Sequence, residues 1–160
     1  MTTETVWLLR YPVELGSSVE EHVHEWMREF TLIRLGQLSG TSKHDVPARL
    51  QAMVEHLTRQ YATELAEPDR LRAAAAARGE THVDLPYPVR PETEQVVVTW
   101  QRMLDDVDEF CRTEDLLTLQ RSPAQKALND WVLQEFLRQL RGEPPLPWSP
   151  VVGVGPAPQA

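Results

Sequence analysis

Apolar residues recur at helical spacing in several stretches of the chain. Val19, Val23, Trp26, Met27, Phe30 and Ile33 form one stripe, and Leu50, Met53, Val54, Leu57, Tyr61 and Leu65 a second. Val96, Trp100, Met103, Leu104, Val107, Phe110 and Cys111 form a third, and Leu128, Trp131, Val132, Glu135, Phe136 and Leu140 share one side of a fourth. This spacing puts each set on one helix face, which must be buried against another element. The punctuation between them predicts the boundaries. Ser18 and Glu21 have the capping-box spacing that opens a helix running to about Leu35, with Gly16 ending what precedes it. Asp45 is the expected N-cap of the second helix, with Pro47 in its first turn. A short Ala-rich helix is expected from Pro68 to Gly79. Pro91 opens the long helix, and Ser122 with Gln125 caps the last, which Gly142 ends.

Two stretches read as extended. Thr5 to Leu15 is rich in strand-forming residues, and Pro12 confines it to a sheet edge or an unpaired run. His82 to Val89 is barred from helix by Pro86 and Pro88. Both contain Tyr-Pro-Val, at Tyr11 to Val13 and Tyr87 to Val89. Residues 5–78 and 82–142 could therefore be strand-helix-helix pseudo-repeats, with coincidence as the plainer explanation of a three-residue match. If the repeat is real, the extended segments would pair or cross one end of the bundle. The expected fold is mainly α: a bundle-like domain of four or five helices over residues 1–142, with two short extended segments. A Pro-rich C-terminal tail, 143–160, is expected to be polyproline-like, with the residues after Val152 mobile.

Composition narrows the function classes. In 160 residues there are 16 Lys and Arg against 24 Asp and Glu, a net charge of −8. That sign repels phosphate backbones and anionic membrane surfaces. Cys111 is the single cysteine, so neither an internal disulfide nor a Cys-rich zinc site can form. The apolar run Val6 to Leu9 is too short for a signal-peptide core or a membrane span, and a cytoplasmic location is expected. With only 7 glycines and no phosphate-loop, nucleophile-elbow or zincin motif, nucleotide cradles and the common hydrolase sites are not expected.

Three features remain as candidate chemistry. Glu21-x-x-His24, with Glu25, resembles half of a carboxylate-bridged di-metal site, but the chain has no second such pair. A solvated helix face is the plainer account of these residues and of His22. His44, His56 and His82 are isolated in sequence, and no metal or other cofactor is assigned. Asp105, Asp106, Asp108 and Glu109 form the most acidic cluster. Asp106 is expected to pair with Arg102 and Asp108 with Arg112 at helical spacing. Asp105, Asp106 and Glu109 are the expected contacts with a protein partner. Trp148, in Pro144 to Trp148, either folds back on the bundle or belongs to an exposed polyproline ligand. An indole is rarely left fully wet, which favours docking, and Trp148 is also kept as a candidate partner contact. Cys111 is expected to be a buried structural thiol.

The second half of the chain carries a resemblance. Asp105 to Arg112, Leu116 to Leu119, Trp131 with Glu135 to Leu140, and Gly142 to Trp148 resemble a family of small actinobacterial helical proteins. Leu9 to Leu15, Glu21-His22 and Arg28 to Ile33 fit it more loosely, and the chain departs from its pattern at Phe110 and Glu114. Such proteins tend to be encoded beside anti-sigma-type ATPases, STAS proteins and SpoIIE-like phosphatases. The resemblance implies a non-enzymatic regulatory or adaptor protein in partner-switching control of transcription or stress response. The family has no established catalytic residues, so none is carried over. The alternative reading is a helical protein binding a metal or small ligand, with a carboxylate and histidine metal enzyme as its extreme form.

Overall fold

The computed structural model describes residues 5–37, 46–114, 116 and 119–149, with the side chains of residues 33–37 excepted. The element order is β1 (Thr5–Pro12), α1 (Val13–Gln37), α2 (Val46–Gln60), α3 (Ala62–Ala77), β2 (His82–Pro88), α4 (Thr93–Thr113) and α5 (Pro123–Leu140). The fold is mainly helical with two short strands, as the hydrophobic periodicity predicts. Asp45, His44, Leu117 and the tail beyond Ser149 lie outside the described residues.

The two extended segments pair with each other. β1 and β2 run antiparallel, with Val6 opposite Tyr87, Trp7 opposite Pro86 and Leu8 opposite Leu85. The ladder slips between Leu8 and Tyr11. At this bulge Arg10 adopts a φ of 56°, and Asp84 Oδ1 accepts its amide at 2.8 Å, replacing the lost ladder bond. The inner positions Val6, Leu8, Tyr11 and Leu85 pack on Leu128, Trp131 and Trp148. A second apolar cluster joins Trp26, Phe30, Leu50, Val107, Phe110 and Leu133. Phe136 borders both clusters.

Three boundaries differ from those the sequence predicts. α1 begins at Val13, not Ser18, and runs through Gly16. Ser18 is therefore inside the helix, and its hydroxyl accepts from Gln125 Nε2 at 2.7 Å instead of capping. Gly16 does not end a segment; the Tyr11 ring lies against it, and a Cβ there would stand 2.3 Å from Tyr11 Cε1. Pro68 does not open a helix but lies inside α3, which starts at Ala62 after a break at Tyr61. α4 starts at Thr93 after a turn. By contrast, the Ser122 and Gln125 capping box forms in both directions, with Pro123 at the start of α5. Gly79 and Gly142 end α3 and α5 with φ of 72° and 92°, a conformation that costs glycine little.

The two Tyr-Pro-Val stretches converge on Arg72 of α3. Arg72 bonds the Tyr11 hydroxyl, and burial followed by this neighbourhood leaves the Tyr11 phenol above its ordinary range. Burial likewise pushes Tyr87 up. Glu20 and Asp69 pair with the Arg72 guanidinium from α1 and α3. This arrangement makes Gly16 a demanding position. Gly16→Ala should lower the melting temperature despite alanine's better helix propensity, by about 1–3 kcal/mol of overpacking. Thermal unfolding measures it, and an unchanged or higher melting temperature would show that Tyr11 moves aside freely.

Candidate functional site

The acidic cluster on α4 is charge-balanced. Asp106 pairs with Arg49 of α2 at 2.8 Å. Glu109 pairs with Arg112 one turn on. Asp108 accepts from Arg121 Nη2 at 2.6 Å and Nε at 2.9 Å, while Asp105 lies 3.5 Å from Arg121 and 3.9 Å from Lys126. The pairs expected at helical spacing, Asp106 with Arg102 and Asp108 with Arg112, are replaced by partners from α2 and the loop before α5. Sequence spacing reports only neighbours on the same helix, and the competing cations come from elsewhere. Asp105, Asp106 and Glu109 are exposed, but they do not form an unneutralised patch. The Arg121 side chain is 3% exposed, so its pair with Asp108 is an internal tie between α4 and the α4–α5 loop.

Trp148 is buried at 7% exposure. Its ring meets Trp131 edge-on with centroids 5.5 Å apart, and its amide donates to Leu9 O at 2.9 Å. Most of the motif residues from Trp131 onward serve this docking. Trp131 Nε1 donates to Leu146 O at 3.3 Å, and Leu146 N donates to Glu135 Oε1 at 2.9 Å. Glu135 is 2% exposed; it also accepts from Gln139 Nε2 and from Arg138 Nη1. Gln139 in turn accepts from Trp7 N and donates to Trp7 O, both at 2.8 Å. Arg138 reaches Glu143 and the Pro144 carbonyl. The side chain of Gln139 and the amide of Trp148 thus cover the edge of β1 that β2 leaves open. Trp148 is accordingly not presented to a partner, whereas Trp7 is 41% and Leu146 52% exposed.

The histidine-bearing face of α1 divides. Glu21, His24 and Glu25 are exposed. His22 is buried, against the solvated-face expectation: its Nε2 lies 2.7 Å from Leu119 O and its ring stands edge-on to Trp26 at 4.9 Å. A carbonyl only accepts, so Nε2 carries the proton. Trp26 Nε1 donates to the same carbonyl at 2.5 Å, and the pair pins the loop before α5. His56 is exposed and His82 half-buried. Among the described residues no three His, Cys, Asp or Glu side chains converge as metal ligands. Cys111 is fully buried, and burial, with Asp108 adding to it, pushes its thiol up to about 12.

A pocket that sequence reading missed lies where α2 and α3 meet β2, α4 and α5. It measures about 210 Å³, and its walls are mostly Leu, Val and aromatic side chains. The break at Tyr61 opens it. Arg90 straps the break: its Nη2 donates to the Gln60 carbonyl at 2.6 Å, and Nε and Nη2 donate to Glu64 at 2.6 and 2.9 Å. The same guanidinium lies 4.5 Å from the Tyr61 ring centroid, and Tyr61 Oη donates to Glu92 at 3.1 Å. The Arg90 hydrogen bonds hold the Glu64 carboxyl below its ordinary range. Arg90 lies well beyond Tyr61 and Glu64 in sequence, so no local pattern announces the strap. No protein-family model matches this sequence, and neither a curated protein nor a solved structure matches it. No helix among the described residues is long and apolar enough to cross a membrane.

Two substitutions separate the ties from the surface. Trp148→Ala should cost about 3–5 kcal/mol, the usual loss for truncating a buried indole; a melting temperature equal to that of the parent would mean the tail contributes no packing. Asp108→Asn should cost about 1.5–3 kcal/mol in denaturant unfolding, because a buried guanidinium loses its charged acceptor. Glu109→Gln, at an exposed pair, should change the same midpoint by no more than about 0.5 kcal/mol.

Proposed function

We propose that this chain is a non-enzymatic regulatory or adaptor protein that binds another signalling protein. The observation that carries the reading is Trp7. Its backbone is held on one side by β2 and on the other by Gln139, yet its indole is 41% exposed. A large aromatic fixed by its own main chain loses little conformational freedom on docking, which is the character of an interface anchor. Leu146 and Pro147, both exposed, lie at the other end of the same Glu135 and Gln139 network. The net charge of −8 favours a partner with a basic surface, since opposite charge accelerates encounter. Asp105, Asp106 and Glu109 contribute to that field, with their effect reduced by their local cations. The family resemblance supplies the partner classes: an anti-sigma-type ATPase, a STAS protein or a phosphatase. The cytoplasm is the compartment that fits such partners.

Biolayer interferometry of the full chain against purified members of these three classes tests the proposal. Trp7→Ala should weaken the productive pair by about 30-fold, corresponding to loss of a hot spot worth on the order of 2 kcal/mol. Its far-ultraviolet circular dichroism should match that of the parent. Glu109→Lys should change mainly the association rate, and less so at high salt. If no class binds, or if Trp7→Ala binds as tightly as the parent, the adaptor reading fails in this form.

A further inference from the structure

The pocket strapped by Arg90 has no role in the proposal above. It is about 1.4 times the 150 Å³ apolar cavity that takes up benzene, which corresponds to a ligand on the order of 8–10 non-hydrogen atoms. Protein interiors rarely keep voids much larger than a water molecule, so a space of this size between packed helices is unusual. Its floor includes buried Val97 and Leu133, and Trp100 and Phe136 supply aromatic wall.

The polar groups define the ligand's chemistry. Both Glu64 oxygens accept from Arg90. The guanidinium is therefore neutralised, and a further carboxylate entering the pocket would meet Glu64's charge without a free cation. Tyr61's hydroxyl donates to Glu92. Two lining groups keep donors on offer. Asn129 Oδ1 accepts from Arg121 at 3.2 Å, which leaves the Nδ2 protons. Thr93 Oγ1 accepts from Arg90 N at 2.8 Å, which leaves its own proton. We propose that this pocket is a binding site for a small, uncharged aromatic or alicyclic molecule carrying one hydrogen-bond acceptor, such as a ketone. Its hydrocarbon part lies among Trp100, Val132 and Phe136. Its oxygen takes a proton from Asn129 or Thr93. The Arg90–Glu64 pair discriminates by charge, since displacing it would cost both partners their strongest hydrogen bonds.

Three probes of matched shape test this on the full chain by isothermal titration calorimetry: indane, 1-indanone and indane-1-carboxylate. One-to-one saturation by 1-indanone is expected, with indane about tenfold weaker for lack of an acceptor. The carboxylate should bind at least tenfold more weakly than the ketone. Val132→Trp fills the pocket and should abolish binding of both neutral probes while leaving the helical circular dichroism intact. If that variant does not fold, Asn129→Leu decides: it should erase the preference for ketone over hydrocarbon while indane still binds. Trp7→Ala should leave every probe affinity unchanged, which keeps this site separate from the protein-binding surface. Absence of saturable binding by either neutral probe, or tightest binding by the carboxylate, overturns the proposal. So does unaltered binding in a folded Val132→Trp protein, or an unaltered ketone preference in Asn129→Leu.

Discussion

Glu135 is the point on which both ends of the molecule depend. A carboxylate at 2% exposure is costly to bury unless its charge and lone pairs are satisfied. Here Arg138 supplies the opposite charge, and Gln139 and the Leu146 amide supply further hydrogen bonds. Each of those partners does a second task. Gln139 holds both main-chain polar groups of Trp7, and Leu146 positions the tail so that Trp148 meets Trp131. One helical face of α5 thus joins the first strand to the last described turn of chain. Removing a single member would leave the others buried without partners, so the set behaves as a unit.

The two-stranded sheet owes its place to the same face. A lone antiparallel pair is marginal in water and exposes an edge of unpaired amides and carbonyls. β2 satisfies one side of β1, α3 packs on β2, and the side chain of Gln139 with the amide of Trp148 satisfies the other side. The bulge at Arg10 bends the strand into α1, and Val13 N donates to Thr81 O across that corner. The Tyr11 ring then fills the space that Gly16 leaves.

Much of this fold was legible in sequence. The apolar stripes of α1, α2, α4 and α5 were correctly placed, because burial on one face imposes its period on the chain. Proline, glycine and the Ser122 box fixed the ends where a local hydrogen bond decides them. The misplaced boundaries share one cause. Ser18 and Glu21 have capping spacing, yet tertiary contact with Gln125 and the Tyr11 ring carries the helix five residues earlier. Pro68 has a first-turn signature, but prolines are also tolerated where the displaced amide bond is absorbed by a helix already broken at Tyr61. For the site, residue types were read well and pairings poorly. Asp105 to Glu109 looked unneutralised because Arg49, Arg121 and Lys126 are remote in sequence. His22 looked solvated because the carbonyl that buries it belongs to Leu119. The pocket left no trace in periodicity, since its walls come from four helices and a strand.

The bond from Trp148 to Leu9, and those between Trp7 and Gln139, also set an order of events during synthesis. Trp7 and Gln139 are 132 residues apart. While the chain is still leaving the ribosome, the first strand to emerge therefore waits with one edge bare until α5 and the proline segment have followed it. Contacts of such long sequence separation close late and slow folding. The N-terminal strand thereby acts as a check on completeness: a chain that stops short of Trp148 keeps an open strand edge and an unburied indole at Trp131, the kind of surface that quality-control chaperones and proteases recognise.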